Sequence, residues 1–249
     1  AGDYFVDVSS YRSNDFGGYE LQVNLVDDIP HGNGPSSQAH SIGSTSQSDI
    51  LPGDVGDSFV FDVTQPGDYL FEASGTGSSP MTYLKLEIWN ASGGRIADVN
   101  NQYKSKILLN DLAEGRYYAR VLPYRNNAVG DYLFSSRKVE DIPGSASAAE
   151  PYLMGDVVDA EIYTTGDIDT LSFTITSVRD YSFSIVGSGG SPLTYMELEI
   201  RDASNALIAE KRGKDSASVA ISNLAAGDYI ARVFGYRSTS EGGYQFQGQ

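Results

Sequence analysis

The segment GSSPMTYLKLEIWNASGGRIA, Gly77–Ala97, returns later in the chain as GGSPLTYMELEIRDASNALIA, Gly189–Ala209. In the first copy Leu84, Leu86 and Ile88 alternate with charged or bulky residues, and the second copy has the same pattern. Alternation with a period of two predicts a β-strand with one buried face. The NASGG stretch that follows the first strand predicts a turn. We therefore expect equivalent strands in two similar β-rich units.

The repeat extends well beyond this segment. Corresponding residues lie 112 positions apart, without a gap, from Asp57 and Asp169 to Phe134 and Phe246. Each unit has seven or eight short alternating segments separated by polar turns, and no segment has the pattern of an amphipathic helix. This arrangement predicts an all-β chain of tandem β-sandwich or jelly-roll modules. The polar segment before each core is expected to end in an edge strand, near Ser46–Ile50 and Val157–Ile162.

A partial third copy opens the chain, because GDYFVDVSSYRSNDFGGYEL at Gly2 matches GRYYARVLPYRNNAVGDYLF at Gly115. We therefore predict the tail of a preceding repeat at residues 1–30, a first complete repeat at 31–143 and a second at 144–249. A unit of about 110 residues can bury a core of its own. The repeats are thus expected to be beads on a string rather than turns of a solenoid.

The composition narrows the classes of partner. The chain has 33 acidic and 17 basic residues among 249, a net charge of −16, and no cysteine. Such a surface repels nucleic acid and anionic membranes, so we expect no nucleic-acid partner. No apolar run approaches the ~18 residues of a membrane span, so no membrane insertion is expected either. The acidity suits calcium-containing surroundings, although a role in solubility alone explains it equally well.

Three short motifs carry a family resemblance. In the second unit they are Gly166-Asp167-Ile168-Asp169 with Phe173, Leu224-Ala225-Ala226-Gly227-Asp228-Tyr229 with Val233, and Gly243-Tyr244-Gln245-Phe246. This pattern resembles the bacterial pre-peptidase C-terminal domain, a calcium-associated jelly roll appended to secreted peptidases, to which the collagen-binding domains of clostridial collagenases are related. The resemblance implies a secreted or cell-surface accessory module. The first unit departs from it at Asp54-Val55-Gly56-Asp57, and no peptidase precedes the modules in this chain.

Acidic turns are the candidate metal ligands. Calcium prefers several carboxylate and carbonyl oxygens, and Asp54 with Asp57, and Asp167 with Asp169, offer them at the start of each unit. Further acidic pairs are Asp27/Asp28, Glu140/Asp141 and Asp156/Asp159. The alternative is that these residues are ordinary turn formers whose side chains accept hydrogen bonds from nearby backbone amides.

Recurring tyrosines suggest two roles. Tyr4, Tyr117 and Tyr229 each follow a glycine by two residues, which is the arrangement of a tyrosine corner with a structural hydroxyl. A different set combines the residue types that dominate binding hot spots, namely Tyr124, Arg125, Tyr236, Arg237 and Trp89. Tyr–Arg stacking that closes a loop would explain the first four equally well. Trp89 is either an exposed contact or part of an interface between modules.

Residues suited to catalysis are scarce. His31 and His40 both fall in the polar segment before the first core, with no counterpart in the second unit and no positioned surroundings. No G-x-S-x-G elbow occurs. We expect no enzyme activity, and instead a module array that tethers a secreted enzyme or surface protein to an extracellular polymer, either a polysaccharide or a fibrous protein. The alternative is a stalk, filament or adhesin whose partners are neighbouring repeats.

Overall fold

The computed structural model describes residues 5–9, 17–21, 29–31, 36–125 and 128–249. Within these ranges the regular structure is almost entirely β-strand, with one short 3₁₀ turn at Ala146–Ala148. The strands form two similar sandwiches, each built from a five-stranded and a four-stranded sheet. The predicted all-β class with tandem sandwich modules is thereby confirmed. No helix among the described residues is long and apolar enough to cross a membrane.

The first sandwich, called unit 1 below, follows the segment that precedes the first core. Its strands are β1 (Gln38–Ala39), β2 (Thr45–Ile50), β3 (Asp57–Val63), β4 (Gly67–Gly75), β5 (Leu84–Asn90), β6 (Arg95–Asn101), β7 (Lys104–Leu112), β8 (Gly115–Pro123) and β9 (Gly130–Val139). One sheet has the order β1-β3-β8-β5-β6 and the other β2-β9-β4-β7. Neighbours are antiparallel, except that β1 runs parallel to β3.

The second sandwich, unit 2, repeats this topology. Its strands are β10 (Glu150–Pro151), β11 (Val157–Ile162), β12 (Ile168–Ile175), β13 (Arg179–Gly187), β14 (Met196–Asp202), β15 (Leu207–Gly213), β16 (Ser216–Leu224), β17 (Gly227–Gly235) and β18 (Gly242–Gly248). The sheets have the orders β10-β12-β17-β14-β15 and β11-β18-β13-β16. The edge strands expected before each core are present as β2 and β11.

The core of each unit lies between the inner faces of its two sheets. In unit 1 Phe59 stacks on Phe134 across the sandwich, with ring centroids 4.7 Å apart, and both rings are fully buried. The β-branched and aromatic residues that favour strands are also the ones whose burial stabilises the fold, by roughly 2 kcal/mol for each large side chain. The alternation seen in the sequence therefore predicts both the strands and the core.

The sequence patterns missed β1, β6, β10 and β15, which are short or mostly exposed.

The expectation that His40 lacks positioned surroundings is wrong, because His40 directly follows β1. The backbone amide of His40 donates to Val60 O beside this strand, and the ring is buried on Phe134, 4.6 Å away between centroids. Its Nδ1 and Nε2 lie 2.9 Å from the hydroxyls of Ser46 and Ser136. His40 is therefore a positioned core residue, whereas His31 is exposed.

His40 also has a counterpart in unit 2, contrary to expectation. Tyr152 follows the parallel strand β10, and its amide donates to Ser172 O as that of His40 does to Val60 O. Its ring packs edge-on against Phe246. The proposed boundaries after residues 30 and 143 stay a prediction, and most of residues 1–30 lie outside the described ranges.

Candidate functional site

A cluster of three carboxylates, the buried Asp169 and the half-buried Asp141 and Asp167, lies at the start of unit 2. Asp141 comes from the segment after β9, Asp167 from the turn before β12, and Asp169 from β12 itself. One oxygen of each lies within 4.8 Å of the others. Strand β12 pairs with β17 in a register that sets Asp169 opposite Val233, at a fully buried position. The fold thus brings together Asp167 and Asp169 and adds Asp141, a member of one of the further candidate pairs, from another part of the chain.

The cluster has acceptor oxygens without donors. Tyr244 OH donates to Asp169 Oδ2 at 2.6 Å, and Asn110 Nδ2 donates to Asp141 Oδ2 at 2.6 Å. The backbone amide of Tyr163 donates to Asp167 Oδ2 at 2.7 Å. The other oxygens of Asp141 and Asp169 are buried and have no hydrogen-bond partner among the described residues. A buried oxygen in that state carries an uncompensated desolvation cost, and a cation or a further donor at this position would remove it.

The electrostatics of the cluster agree with this geometry. Burial, followed by repulsion from Asp141, raises the pKa of Asp167 to about 6. Burial raises the pKa of Asp169 to about 9, against the opposing hydrogen bond from Tyr244. Burial also raises the pKa of Asp141. A divalent cation would favour the ionised forms, and oxygen donors of this kind fit calcium.

Unit 1 does not repeat the cluster within the described ranges. Asp57 is buried and accepts a hydrogen bond from Tyr132, as Asp169 does from Tyr244. Asp54 Oδ2 accepts from the Leu51 amide at 2.7 Å, the role of a turn former. In the part of the chain that the structure describes, no third carboxylate joins these two. The acidic residues that match Asp141 in the sequence, at 27–28, lie outside that part.

A second acidic group on the outer face of β14 and β15 is paired with arginines instead. Glu197 Oε2 lies 2.8 Å from Arg212 Nε. Glu199 Oε2 lies 2.8 Å from Arg201 Nε and 3.1 Å from Arg232 Nη1. These ion pairs give Glu197 and Glu199 cationic partners, whereas Glu210 of β15, the third carboxylate of the group, is exposed.

Trp89 belongs to the matching network in unit 1. Its Nε1 donates to Glu87 Oε2 at 2.9 Å, and the Arg120 guanidinium lies 5.7 Å from the ring centroid. Lys85 Nζ is 2.6 Å from Glu87 Oε1. The half-buried indole therefore lies over the buried carboxylate of Glu87. Its predicted role in ligand binding stays a prediction.

A tyrosine–arginine stack stands at the same place in both units. The guanidinium carbon of Arg125 lies 4.1 Å from the centroid of the Tyr83 ring, and that of Arg237 lies 3.7 Å from the Tyr195 ring. The arginines thus stack on rings distant in sequence, and not on their neighbours Tyr124 and Tyr236. The predicted binding residues Arg125 and Arg237 are thus joined by Tyr83 and Tyr195, which were not among the predicted binding residues.

The stacked tyrosines have a strained backbone. Tyr83 has φ 61° and Tyr195 has φ 55°, the left-handed region that bulky residues avoid. The Tyr83 amide donates to Gln102 O at 2.6 Å, and its carbonyl accepts from the Tyr124 amide at 2.7 Å. Equivalent hydrogen bonds hold Tyr195. Such strain costs about 1–3 kcal/mol and clusters at functional sites. Its recurrence at both stacks therefore makes the two stacks candidates for a functional site.

More aromatic surface adjoins each stack. In unit 1 Tyr124 is 49% and Tyr103 is 62% exposed. In unit 2 Tyr236 meets Tyr195 edge-on at 5.9 Å, and the Arg212 guanidinium lies 5.5 Å from the Tyr236 ring. Each unit therefore presents a group of tyrosines and arginines to solvent.

The tyrosine corners are structural, as predicted. Tyr117 OH donates to Ala113 O at 3.0 Å, and Tyr229 OH donates to Ala225 O at 3.0 Å. Both rings are buried. Tyr4 lies outside the described residues.

No protein-family model matches the chain, and no curated protein matches it either. Among solved structures, the pre-peptidase C-terminal domain of collagenase from Bacillus anthracis is similar at 16% identity and a TM-score of 0.33, covering 43% of this chain and 99% of that one. The secreted serine protease VesC from Vibrio cholerae is similar at 8% identity and a TM-score of 0.28, covering 74% and 47%.

A third similar structure is the CBM22-1–CBM22-2 tandem domain of Xyn10C from Paenibacillus barcinonensis. Its identity is 12% and its TM-score 0.24, with 76% of this chain and 81% of that one covered. At these identities the likenesses concern the fold alone.

Proposed function

We propose that the chain is a non-catalytic, extracellular binding array, built from modules of the pre-peptidase C-terminal type, that tethers a secreted enzyme or surface protein to an extracellular polymer. The observation that carries this proposal is the tyrosine–arginine stack that recurs, with its strained tyrosine, in both units. Tyrosine and arginine dominate binding hot spots, and aromatic side chains bury a large contact area at interfaces.

Two linked weak sites suit a repetitive polymer. When one unit is bound, the tether holds the second near another site, so overall affinity exceeds that of either unit without new contacts. Loss of one stack should therefore weaken binding far more than twofold. The net charge of −16 argues against nucleic acid as the polymer.

The binding proposal can be tested by co-sedimentation with insoluble polysaccharides and with fibrous collagen. We expect Tyr195→Ala/Arg237→Ala to lower the affinity for the bound polymer at least tenfold, Tyr83→Ala/Arg125→Ala to do the same, and the fourfold variant to abolish binding. Arg116→Ala/Tyr118→Ala, which removes the same residue types from another surface of unit 1, is the matched control. Unchanged binding by the fourfold variant would overturn the proposal. Failure of the unaltered chain to bind any of the polymers tested would overturn it as well.

We further propose that calcium binds Asp141, Asp167 and Asp169. The buried oxygens of Asp141 and Asp169 that lack donors support this. Bound calcium would offset two of the three negative charges and join the segment after β9 to unit 2. The surrounding chain positions the ligands through Asn110, Tyr163 and Tyr244.

Calorimetric titration of the chelated protein with calcium tests this site. We expect saturable binding that is lost in Asp167→Asn/Asp169→Asn and kept in Asp156→Asn/Asp159→Asn, which makes the same charge change at exposed positions. Absence of heat together with an unchanged melting temperature would exclude the site. The three carboxylates would then serve only as hydrogen-bond acceptors within the fold.

A structural stalk is the second candidate, favoured by direct contacts between the units such as the 2.6 Å pair of Lys106 and Glu241. Concentration-dependent self-association in sedimentation velocity would support it. A monomer at all concentrations, together with polymer binding, would leave the tethering array as the function.

A further inference from the structure

The outer face of sheet β2-β9-β4-β7 carries apolar residues that the alternation of the strands would leave in water. Leu70 lies between the inward-facing Tyr69 and Phe71, yet it is only 5% exposed. Val139 at the end of β9 is 6% exposed, and the half-buried Leu108 of β7 packs beside them. A second element of the molecule must therefore cover this face.

The covering residue is Tyr163 of unit 2, which follows β11. It is 8% exposed and packs in one cluster with Leu70, Leu108 and Val139. The Arg137 guanidinium of β9 lies 5.2 Å from the centroid of the Tyr163 ring. An aromatic ring buried among aliphatic side chains, with a cation on its face, is a typical anchor of a protein interface.

Charged residues surround this apolar centre. Lys106 Nζ lies 2.6 Å from Glu241 Oε2 and donates to Tyr163 O at 3.3 Å. Arg137 Nη2 lies 3.6 Å from Glu161 Oε2. In these two pairs across the junction the basic side chains come from unit 1 and the acidic ones from unit 2, so the two surfaces are complementary in charge.

The same face of unit 2 has none of these features. The residues of unit 2 that correspond to Leu70, Lys106 and Leu108 are Ser182, Ser218 and Ala220, and all three are exposed. Tyr163 in turn corresponds to Leu51 in unit 1. The docking residues are thus not required by the sandwich fold, since unit 2 forms the same sheet without them.

We infer that the outer face of β4, β7 and β9 in unit 1 is a docking surface for the unit that follows it, and that the two units form one rigid body anchored by Tyr163. The units are therefore not beads on a flexible string. The junction joins two different surfaces, and the equivalent face of unit 2, with its serines, lacks the residues to bind a further unit in this way. It holds the two tyrosine–arginine stacks in a constant relative orientation.

Pulsed electron paramagnetic resonance on the full chain tests this inference. The chain has no cysteine, so spin labels can be placed at Ser92→Cys and Ser204→Cys, two exposed and equivalent positions in the units. We expect a narrow distribution of distances between the labels. The variant Leu70→Ser/Lys106→Ser/Leu108→Ala gives unit 1 the residues that unit 2 carries and should broaden the distribution at least twofold.

Tyr163→Ala, which truncates the anchor from the other side, should broaden the distribution similarly. Leu51→Ala, the equivalent change at the opposite end of unit 1, is the control and should leave it narrow. Circular dichroism of each variant reports whether the sandwiches remain folded. A broad distribution in the unaltered chain would overturn the inference, and so would a narrow one in both junction variants.

Discussion

Burial of a histidine makes the stability of unit 1 depend on pH. Burial lowers the pKa of His40 from 6.5 to about 4, so the folded protein holds the ring neutral. Between pH 6.5 and 4 the unfolded chain binds a proton that the folded chain does not. The contribution of His40 to stability is therefore complete above pH 6.5 and is lost as the pH falls towards 4.

We expect His40→Tyr, which copies Tyr152 of unit 2, to flatten this fall in stability by roughly 1–3 kcal/mol over the same range. Urea unfolding of both proteins at several pH values between 4 and 7.5 measures the difference. His31→Tyr, at an exposed position, is the control and should behave as the unaltered chain does. An equal loss of stability in His40→Tyr would show that other groups cause it.

Asp169 should have the opposite dependence on pH when metal is absent. Its folded pKa is raised to about 9, above the usual value of 3.8, so the folded state favours the neutral carboxyl. The associated stability is present at low pH and is lost as the pH rises towards 9. Asp167, with its pKa raised to about 6, adds to the loss below neutrality.

We expect Asp169→Asn to be at least as stable as the unaltered chain at pH 8 in chelator, because the amide needs no proton to be neutral. The variant should gain about 1 kcal/mol or more relative to the unaltered chain as the pH rises from 5 to 8. Thermal unfolding with chelator present measures this, with Asp159→Asn as an exposed control. A variant less stable at every pH would mean that Asp169 is needed structurally without a cation.

At the scale of elements, a glycine at the start of β9 and β18 positions the loop that carries each stacked tyrosine. Gly130 and Gly242 have φ 131° and 133°, and a Cβ at Gly242 would collide with the carbonyl oxygen of Ser191. The close approach lets Pro192 form a parallel bridge with Gly243. A glycine is needed here because no other residue combines this backbone angle with this space.

We expect Gly242→Ala to lower the stability of unit 2 by roughly 2–4 kcal/mol and to weaken polymer binding by that unit, since the loop must move away from β18. Calorimetry and co-sedimentation measure the two effects. Gly190→Ala lies in the same loop, where a Cβ meets no atom within 4 Å, and should change neither. If Gly242→Ala has the stability of the control, the close approach does not constrain the loop.

At the scale of the whole molecule, the junction between the units should have a measurable electrostatic part. Lys106 and Glu241 are partly shielded, with side chains 16% and 27% exposed, and lie 2.6 Å apart. A double-mutant cycle with Lys106→Met and Glu241→Gln should give a coupling of about 1 kcal/mol in unfolding by urea at low salt. The coupling should shrink at 1 M salt, where screening is strong. A zero coupling at low salt would show that this ion pair adds nothing to the stability of the junction.

The sequence alone determined the architecture of this protein. The period-two alternation around Leu84–Ile88 and its repetition 112 residues later predict strands, core and tandem units, because burial of one sheet face requires that pattern. The tyrosine corners followed in the same way, since the hydroxyl of Tyr117 or Tyr229 reaches a carbonyl only four residues away. Signals of this kind are local, so they can be read without the fold.

Tertiary structure decided the rest. Asp141 joins Asp167 and Asp169 only because the segment after β9 passes the start of β12. Likewise Arg125 reaches Tyr83, and Tyr163 covers Leu70, through strands that pair far apart in the chain. A strand of two residues such as β1 is too short to show a periodic pattern, so the sequence did not predict that His40 is buried. Contacts between distant segments depend on how sheets and units pack, and no spacing along the chain encodes that packing directly.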